Sequence, residues 1–235
     1  CDIGYNMVGI AVDDFDTVLH NVQALQTSGD VSVRGDAGQR RACVADPEGN
    51  LVEIHERDPL SAIDGVAPEV SRPEMPAVFR TMRVSVPDLR AARDDFVNAL
   101  GFREVEGYQL HGPDDEAMWG LAGARVSTVL LRARNFLLEL VEYQSPEPRP
   151  RLADYRLSDQ GFMNIALGYR GNHEYDAAFE RAVRHGMRPN SPRPVEAGVF
   201  RVMDVNDRNG CSGEMLNARQ ALWWMTGFQA RRRWF

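Results

Sequence analysis

The sequence predicts an α+β fold in which one strand–helix–strands unit recurs three times. Three observations carry this reading. Short segments of alternating apolar residues recur along the chain; an amphipathic stretch ending at a glycine follows each; and each unit closes on a strand with one glutamate among apolar residues. Alternation at period two marks a strand with one buried face, and apolar residues at helical spacing mark an amphipathic helix.

The opening strands are Met7 to Val12, Met82 to Val86 and Met163 to Leu167. The helices behind them are Phe15 to Leu25, Leu89 to Leu100 and Tyr175 to His185, announced by Asp13-Asp14, Pro87-Asp88 and His173-Glu174. A carboxylate at that place caps the free N–H groups of the first turn and meets the positive end of the helix dipole. The helices stop at Gly29, Gly101 and Gly186, the residue type that best adopts the left-handed conformation at a helix end. The closing strands are Leu51 to Ile54, Leu137 to Leu140 and Gly213 to Leu216, which carry Glu53, Glu139 and Glu214. Two of them follow Pro-, Asp-, Asn- and Gly-rich turns, Asp46 to Asn50 and Asn206 to Gly210. Asp58 to Ala77 reads as an interdomain linker, and Gln144 to Gln160, with Pro146, Pro148 and Pro150, as a crossover.

Composition narrows the function classes. The chain has 235 residues, 43% hydrophobic and 26% charged, and a net charge of −7. That charge argues against a general nucleic-acid binder, since no broad basic face offsets phosphate repulsion. Arg231-Arg232-Arg233 is a concentrated basic run at the end of the chain and reads as a solvated tail. No apolar run approaches the roughly 18 residues of a membrane helix, and no leader pattern precedes the fold; three cysteines, odd in number and without a disulfide framework, make a reducing cytoplasm the expectation. All 27 basic residues of the Lys+Arg count are arginine, which removes Schiff-base chemistry and a phosphate-loop lysine. Cys1, Cys43 and Cys211 are too widely spaced for a metal pair, and the latter two read as small buried hydrophobes.

The strings Asp46-Pro47-Glu48-Gly49-Asn50-Leu51-Val52-Glu53-Ile54 and Val86-Pro87-Asp88-Leu89, with Leu100-Gly101-Phe102, resemble the vicinal oxygen chelate superfamily. That superfamily includes glyoxalase, methylmalonyl-CoA epimerase, extradiol ring-cleaving dioxygenases and antibiotic-sequestering resistance proteins. The resemblance implies βαβββ modules that pair, two at a time, into a cup-shaped mixed sheet with helices outside. It implies a single module over residues 1–57, a linker over 58–77, a complete two-module domain over 78–218, and a C-terminal helix and tail over 219–235. The odd module then takes its partner from an upstream module or from the mate in a homodimer. The expected ligand is a small-molecule substrate, with neither nucleic acid nor membrane as partner.

The same resemblance implies a site inside the cup, held by residues of first and last strands. The first-strand places, usually histidine, hold Met7, Thr81 and Asn164, whereas Glu53, Glu139 and Glu214 keep the last-strand carboxylates. Glu139 and Glu214 are the implied catalytic acid/base pair. They are also implied ligands of a divalent metal (Mg, Mn, Fe or Zn), Thr81 and Asn164 completing an oxygen-rich shell, while Glu53 is the implied ligand of the odd module, its partners coming from the place of Met7 and from the module it pairs with. Glu139 reads equally as a member of an ion-pair network with Glu142 and Arg132 or Arg134. Trp119 stacks on a substrate or anchors the core, and His111 is a loop histidine that protonates a substrate or is simply solvated. The implied activity is isomerase or lyase chemistry through an enolate-type intermediate. The alternatives are a ring-cleaving dioxygenase or its inactive relative, which needs two histidines and a carboxylate on iron, and a protein that sequesters a ligand.

Overall fold

A computed structural model describes residues 2–25, 31–63, 76–134, 136–152, 154 and 161–218. The chain divides into two compact units, residues 1–93 with 102–162, and residues 94–101 with 163–235.

In the first unit the alternating residues before Asp13 form β1 (Gly4–Val12), followed by α1 (Phe15–Leu25), β2 (Val33–Arg34), β3 (Arg41–Ala45) and β4 (Leu51–His55). The second module supplies β5 (Ala77–Ser85), α2 (Leu89–Asp94), β6 (Arg103–Glu104), β7 (Arg125–Arg132) and β8 (Leu137–Ser145). Asp14 caps α1 by accepting from Thr17 N–H at 3.0 Å, and Asp88 does the same for Ala91 N–H at 2.9 Å. The turn before β4 closes on Asp46, whose Oδ1 accepts from Glu48 and Asn50 N–H at 3.0 and 2.7 Å. Asp207 repeats this arrangement in the third module, accepting from Asn209 and Cys211 N–H at 2.8 Å.

These strands make one eight-stranded mixed sheet in the order β2-β3-β4-β1-β5-β8-β7-β6. Within each module the first and last strands run parallel, β1 with β4 and β5 with β8, as a βαβββ unit requires. The modules join where β1 meets β5 antiparallel, Gly9 opposite Thr81. The complete pair is therefore the first and second modules, not the second and third expected over residues 78–218. All three opening strands share one alternating pattern, so the repeat does not choose the pairs; sequence-adjacent elements usually do become neighbours. The start of the supposed linker is also ordered: Pro59–Ala62 forms a 3-10 turn capped by Asp58, and Leu60 is buried with Leu110, Leu130 and Leu137.

Alternation decides which face each side chain takes. Ile54 lies with Val12, Phe15 and Ala42 in the apolar cluster that α1 covers. Glu53 and His55, its neighbours on the strand, consequently point to the opposite face.

The second unit begins with a π-helical turn, Asp95–Ala99, that continues α2. The single helix expected from Leu89 to Leu100 thus changes winding midway. The unit goes on through β9 (Asn164–Arg170), α3 (Gly171–Arg184), β10 (Arg188–Pro189), β11 (Val195–Ala197), β12 (Phe200–Asn206) and β13 (Ser212–Ala218). Its sheet has the order β10-β12-β13-β9, β11 pairs with β12, and β13 again runs parallel to β9. Tyr175, Ala178 and Ala182 are the buried face of α3, and Gly186 closes it at a φ of 92°. Among the described residues no helix is long and apolar enough to cross a membrane. Gly29, the Arg231 to Arg233 run and the tail over 219–235 lie outside the described residues.

Candidate active site

The polar face of the eight-stranded sheet gathers its charge from four strands, two on either side of β1. β4 brings Glu53 and His55, β3 brings Arg41 and Cys43, β5 brings Thr81 and Arg83, and β8 brings Glu139. The register sets Cys43 and Gly9 opposite Glu53, and Arg83 opposite Glu139. The segment ahead of β7 adds His111 and a 3-10 helix, Pro113–Trp119. Asp115 fixes that segment: it accepts from Gly112 N–H at 2.7 Å and from Arg41 Nη2 at 2.7 Å.

His111 lies between the two last-strand carboxylates. Its Nδ1 is 2.6 Å from Glu139 Oε2 and its Nε2 is 2.9 Å from Glu53 Oε2. His55 Nε2 reaches the same Glu53 oxygen at 3.0 Å. Arg83 donates to Glu116 at 2.5 Å, Glu116 accepts from Tyr143 O–H at 2.9 Å, and Arg83 Nε stands 3.1 Å from Glu139 Oε2. The guanidinium lies over the Trp119 ring at 4.2 Å, and His111 meets that ring edge-on at 5.0 Å. Glu53, Glu139, His111, His55, Arg83 and Glu116 are all at most 3% exposed. The short contacts of His55 Nε2 and Arg83 Nε are poorly aligned, so these atoms and Thr81 Oγ1 lack an aligned hydrogen-bond partner among the described residues.

The charges hold one another in place. Burial alone would raise the Glu53 carboxyl, but the His111 and His55 rings more than offset this and hold it well below the usual carboxylate range. Burial likewise opposes ionisation of Glu139, and His111 and Arg83 overcome it and lower the carboxyl. For His111 burial disfavours the cation, yet Glu139 and Glu53 push it up to about 9. Burial, with Glu53 alongside, pushes the Cys43 thiol up to about 12, which makes it a packing residue and no nucleophile.

A cavity of about 380 Å³ adjoins this network. His55, Arg41, Arg57, Tyr108, Asp58 and Pro59 are among its walls.

The structure thus brings together five of the residues singled out in the sequence, Glu53, Glu139, His111, Thr81 and Trp119. Glu139 meets Glu53 through His111, where the sequence reading had paired it with Glu214. Glu214 and Asn164 lie in the second unit, half-buried, Glu214 opposite Asp204 and Asn164 3.4 Å from Asp204 Oδ1. Neither lines that unit's cavity of about 360 Å³ beside Asn172 and Arg201. His111 is no solvated turn residue, because the 3-10 helix buries it. Trp119 packs with Met7, Cys43 and Met118, so its place is that of an anchor. Arg83, not Arg132 or Arg134, neutralises Glu139, and Glu142 instead accepts from Leu89 N–H at 2.7 Å. Four partners escaped the sequence reading: His55, Arg41, Arg83 and Glu116. His55 and Arg83 carried a signal, since period-two spacing puts them on the faces of Glu53 and Thr81 in their own strands, whereas Arg41 joins them only through the register of β3 with β4.

The side chains as placed do not fit a divalent metal. Of the three ligands implied, two converge and the third lies in the other unit. A guanidinium and an imidazole already occupy the space beside Glu53 and Glu139, and both imidazole nitrogens are taken up by carboxylates. Among the described residues no three His, Cys, Asp or Glu side chains are disposed to hold an ion.

No protein-family model and no curated protein matches the sequence. Solved structures do match in shape. A variant of glyoxalase I from Zea mays aligns at a TM-score of 0.60 and 17% identity, over 96% of this chain and 70% of that one. Glyoxalase I from Zea mays itself aligns at 0.57 and 16%, over 91% and 67%. A proposed dioxygenase from Bacillus subtilis subsp. subtilis str. 168 aligns at 0.57 and 12%, over 92% of this chain and 63% of that one. At these identities the likeness establishes the fold and leaves the reaction open.

Proposed function

We propose that this chain, which has the vicinal oxygen chelate fold, is an isomerase or lyase that acts on a small oxygenated metabolite through an enolate-type intermediate, in the cavity of its first unit. One observation carries the reading: His55, backed by Glu53, stands in the wall of a cavity whose wall also holds Arg41. Removing a proton from a carbon next to a carbonyl needs a base within reach and a cation for the oxygen that gains charge. His55 takes the proton, and ionised Glu53, 3.0 Å from its Nε2, stabilises the charged form of the ring. Arg41, fixed by Asp115, faces the enolate oxygen. Thr81 Oγ1, buried beside Gly9 and His55, does not line this cavity and is assigned no contact with substrate. Glu139, tied to Arg83 and His111, supports the network and does not itself move the proton. To Glu214 and Asn164 we assign no step.

The test is proton exchange. Purified protein is incubated in D2O with 2-hydroxy acids, thiol adducts of 2-oxoaldehydes and acyl thioesters, and the α-hydrogen is followed by NMR. Exchange by the wild type, reduced about 100-fold or more in a folded His55→Ala variant, is the expected result. Exchange that survives this substitution sinks the assignment. A second reading, sequestration of a small ligand without chemistry, is favoured by the ion pairs that tie up Glu53 and Glu139. It predicts saturable binding with no exchange, whereas oxygen uptake with a catechol would instead favour the dioxygenase alternative.

A further inference from the structure

We propose that the position between the two last-strand carboxylates of the first unit is a cation position filled by the chain's own side chains, His111 and Arg83, so that this unit holds no divalent metal. Two carboxylates from two modules, Glu53 and Glu139, are brought into one buried space by the β1–β5 junction. Such a pair cannot remain uncompensated, because a buried charge without a partner is strongly destabilising. A divalent ion is one remedy, and here two single positive charges supply another. His111 Nδ1 is 2.6 Å from Glu139 Oε2 and its Nε2 is 2.9 Å from Glu53 Oε2, so each ring nitrogen faces an acceptor and each carries a proton. Arg83, opposite Glu139 in the strand register, stands 3.1 Å from the same Glu139 oxygen.

The cations are held as ligands of a fixed site would be. Trp119 covers the Arg83 guanidinium at 4.2 Å and closes edge-on against His111 at 5.0 Å. Glu116 grips Arg83 from its other side and is itself held by the Tyr143 hydroxyl. Arg41 and Asp115 pin the segment that delivers His111. Nothing at the first-strand places compensates for a metal: Met7 is in an apolar cluster, and Thr81 brings one hydroxyl. An arriving divalent ion meets an arginine whose charge cannot be removed and a ring with no free nitrogen.

This inference concerns occupancy and stands apart from the proposed reaction. The full chain is exposed to excess Mn²⁺, Zn²⁺, Ni²⁺ and, without oxygen, Fe²⁺, then desalted and analysed for bound metal; thermal unfolding is followed with and without each ion. The wild type is expected to retain far less than one equivalent and to keep its Tm in EDTA. His111→Gln, which removes one cation and leaves both carboxylates, is expected to acquire a Tm that rises with Mn²⁺ or Zn²⁺. If that variant does not fold, Arg83→Gln is titrated in its place. One equivalent of metal retained by the wild type and lost in Glu53→Gln overturns the proposal, as does a folded variant indifferent to every ion. Because metal content does not depend on turnover, a metal-free protein that exchanges no proton overturns the isomerase reading alone.

Discussion

At the residue scale the buried network makes stability depend on pH from both sides. His111 has a folded value of about 9, above the ordinary histidine value of 6.5, so its contribution is complete below 6.5 and is lost as pH rises through 9. Glu53 and Glu139 are lowered, so their contribution is present above the ordinary 4.5 and is lost as pH falls through their depressed values. Tm against pH is therefore expected to show a plateau from about 5 to about 6.5, with a fall on each side. In His111→Gln the alkaline fall disappears and the plateau drops, by about 3–5 kcal/mol for loss of one member of a buried ion pair, so the two curves converge as pH rises past about 9. An unchanged alkaline limb would show that another group governs it. The two glutamates at the centre of this network were legible in the sequence, since the repeat itself sets them on closing strands. His55 and Arg83 were legible in principle from their spacing along a strand. His111 stood out as a loop histidine, but its place between the two carboxylates was not legible, because its burial depends on a 3-10 helix that carries neither periodicity nor repeat.

At the element scale the opening and closing strands, the first and third helices and the aspartate turns follow from local chemistry, and the structure returns them with ends displaced by up to five residues, as at Ala77 of β5 and Ser145 of β8. What local chemistry omits is how closely neighbouring strands load one face. Gly9 is the instructive case. In the sequence it is a weak point within an alternating strand, where glycine usually marks a bulge or a close approach. In the structure a methyl group there would overlap Thr81 Oγ1 and stand 2.8 Å from His55 Nε2, and β1 shifts register against β5 immediately after it. Gly9→Ala therefore displaces both polar side chains from the junction of the two modules. Urea denaturation is expected to show a loss of about 1–3 kcal/mol, the usual range for overpacking. The exchange reaction should fall with it, because His55 moves. A variant as stable and active as the wild type would mean that Thr81 and His55 are free to turn away.

At the scale of the whole molecule the question is which modules pair, and a repeat cannot answer it from within. Three opening strands with the same alternation are equivalent candidates, and the motif strings fix the module but not its neighbour. The interaction that decides is non-local: β1 lies antiparallel to β5 through eight residue pairs, from Gly4 with Ser85 to Val12 with Ala77. That junction places Glu53 beside Glu139, so the pairing and the site are one fact seen at two scales. Had β5 joined β9, β1 would be an edge strand with one row of amides open to water. In the order observed, β1 and β5 are the two middle strands of eight, each bonded on both sides. Amide hydrogen exchange on the intact chain separates these arrangements, since central strands open only with the unit as a whole and edge strands exchange locally. Residues 4–12 and 77–85 are expected to be among the slowest amides of the protein, and to gain or lose protection together when Gly9→Ala weakens their junction. Rapid exchange across residues 4–12 while 77–85 stays protected would break the pairing, and with it the meeting of Glu53 and Glu139 on which the proposed chemistry and the metal-free site both depend.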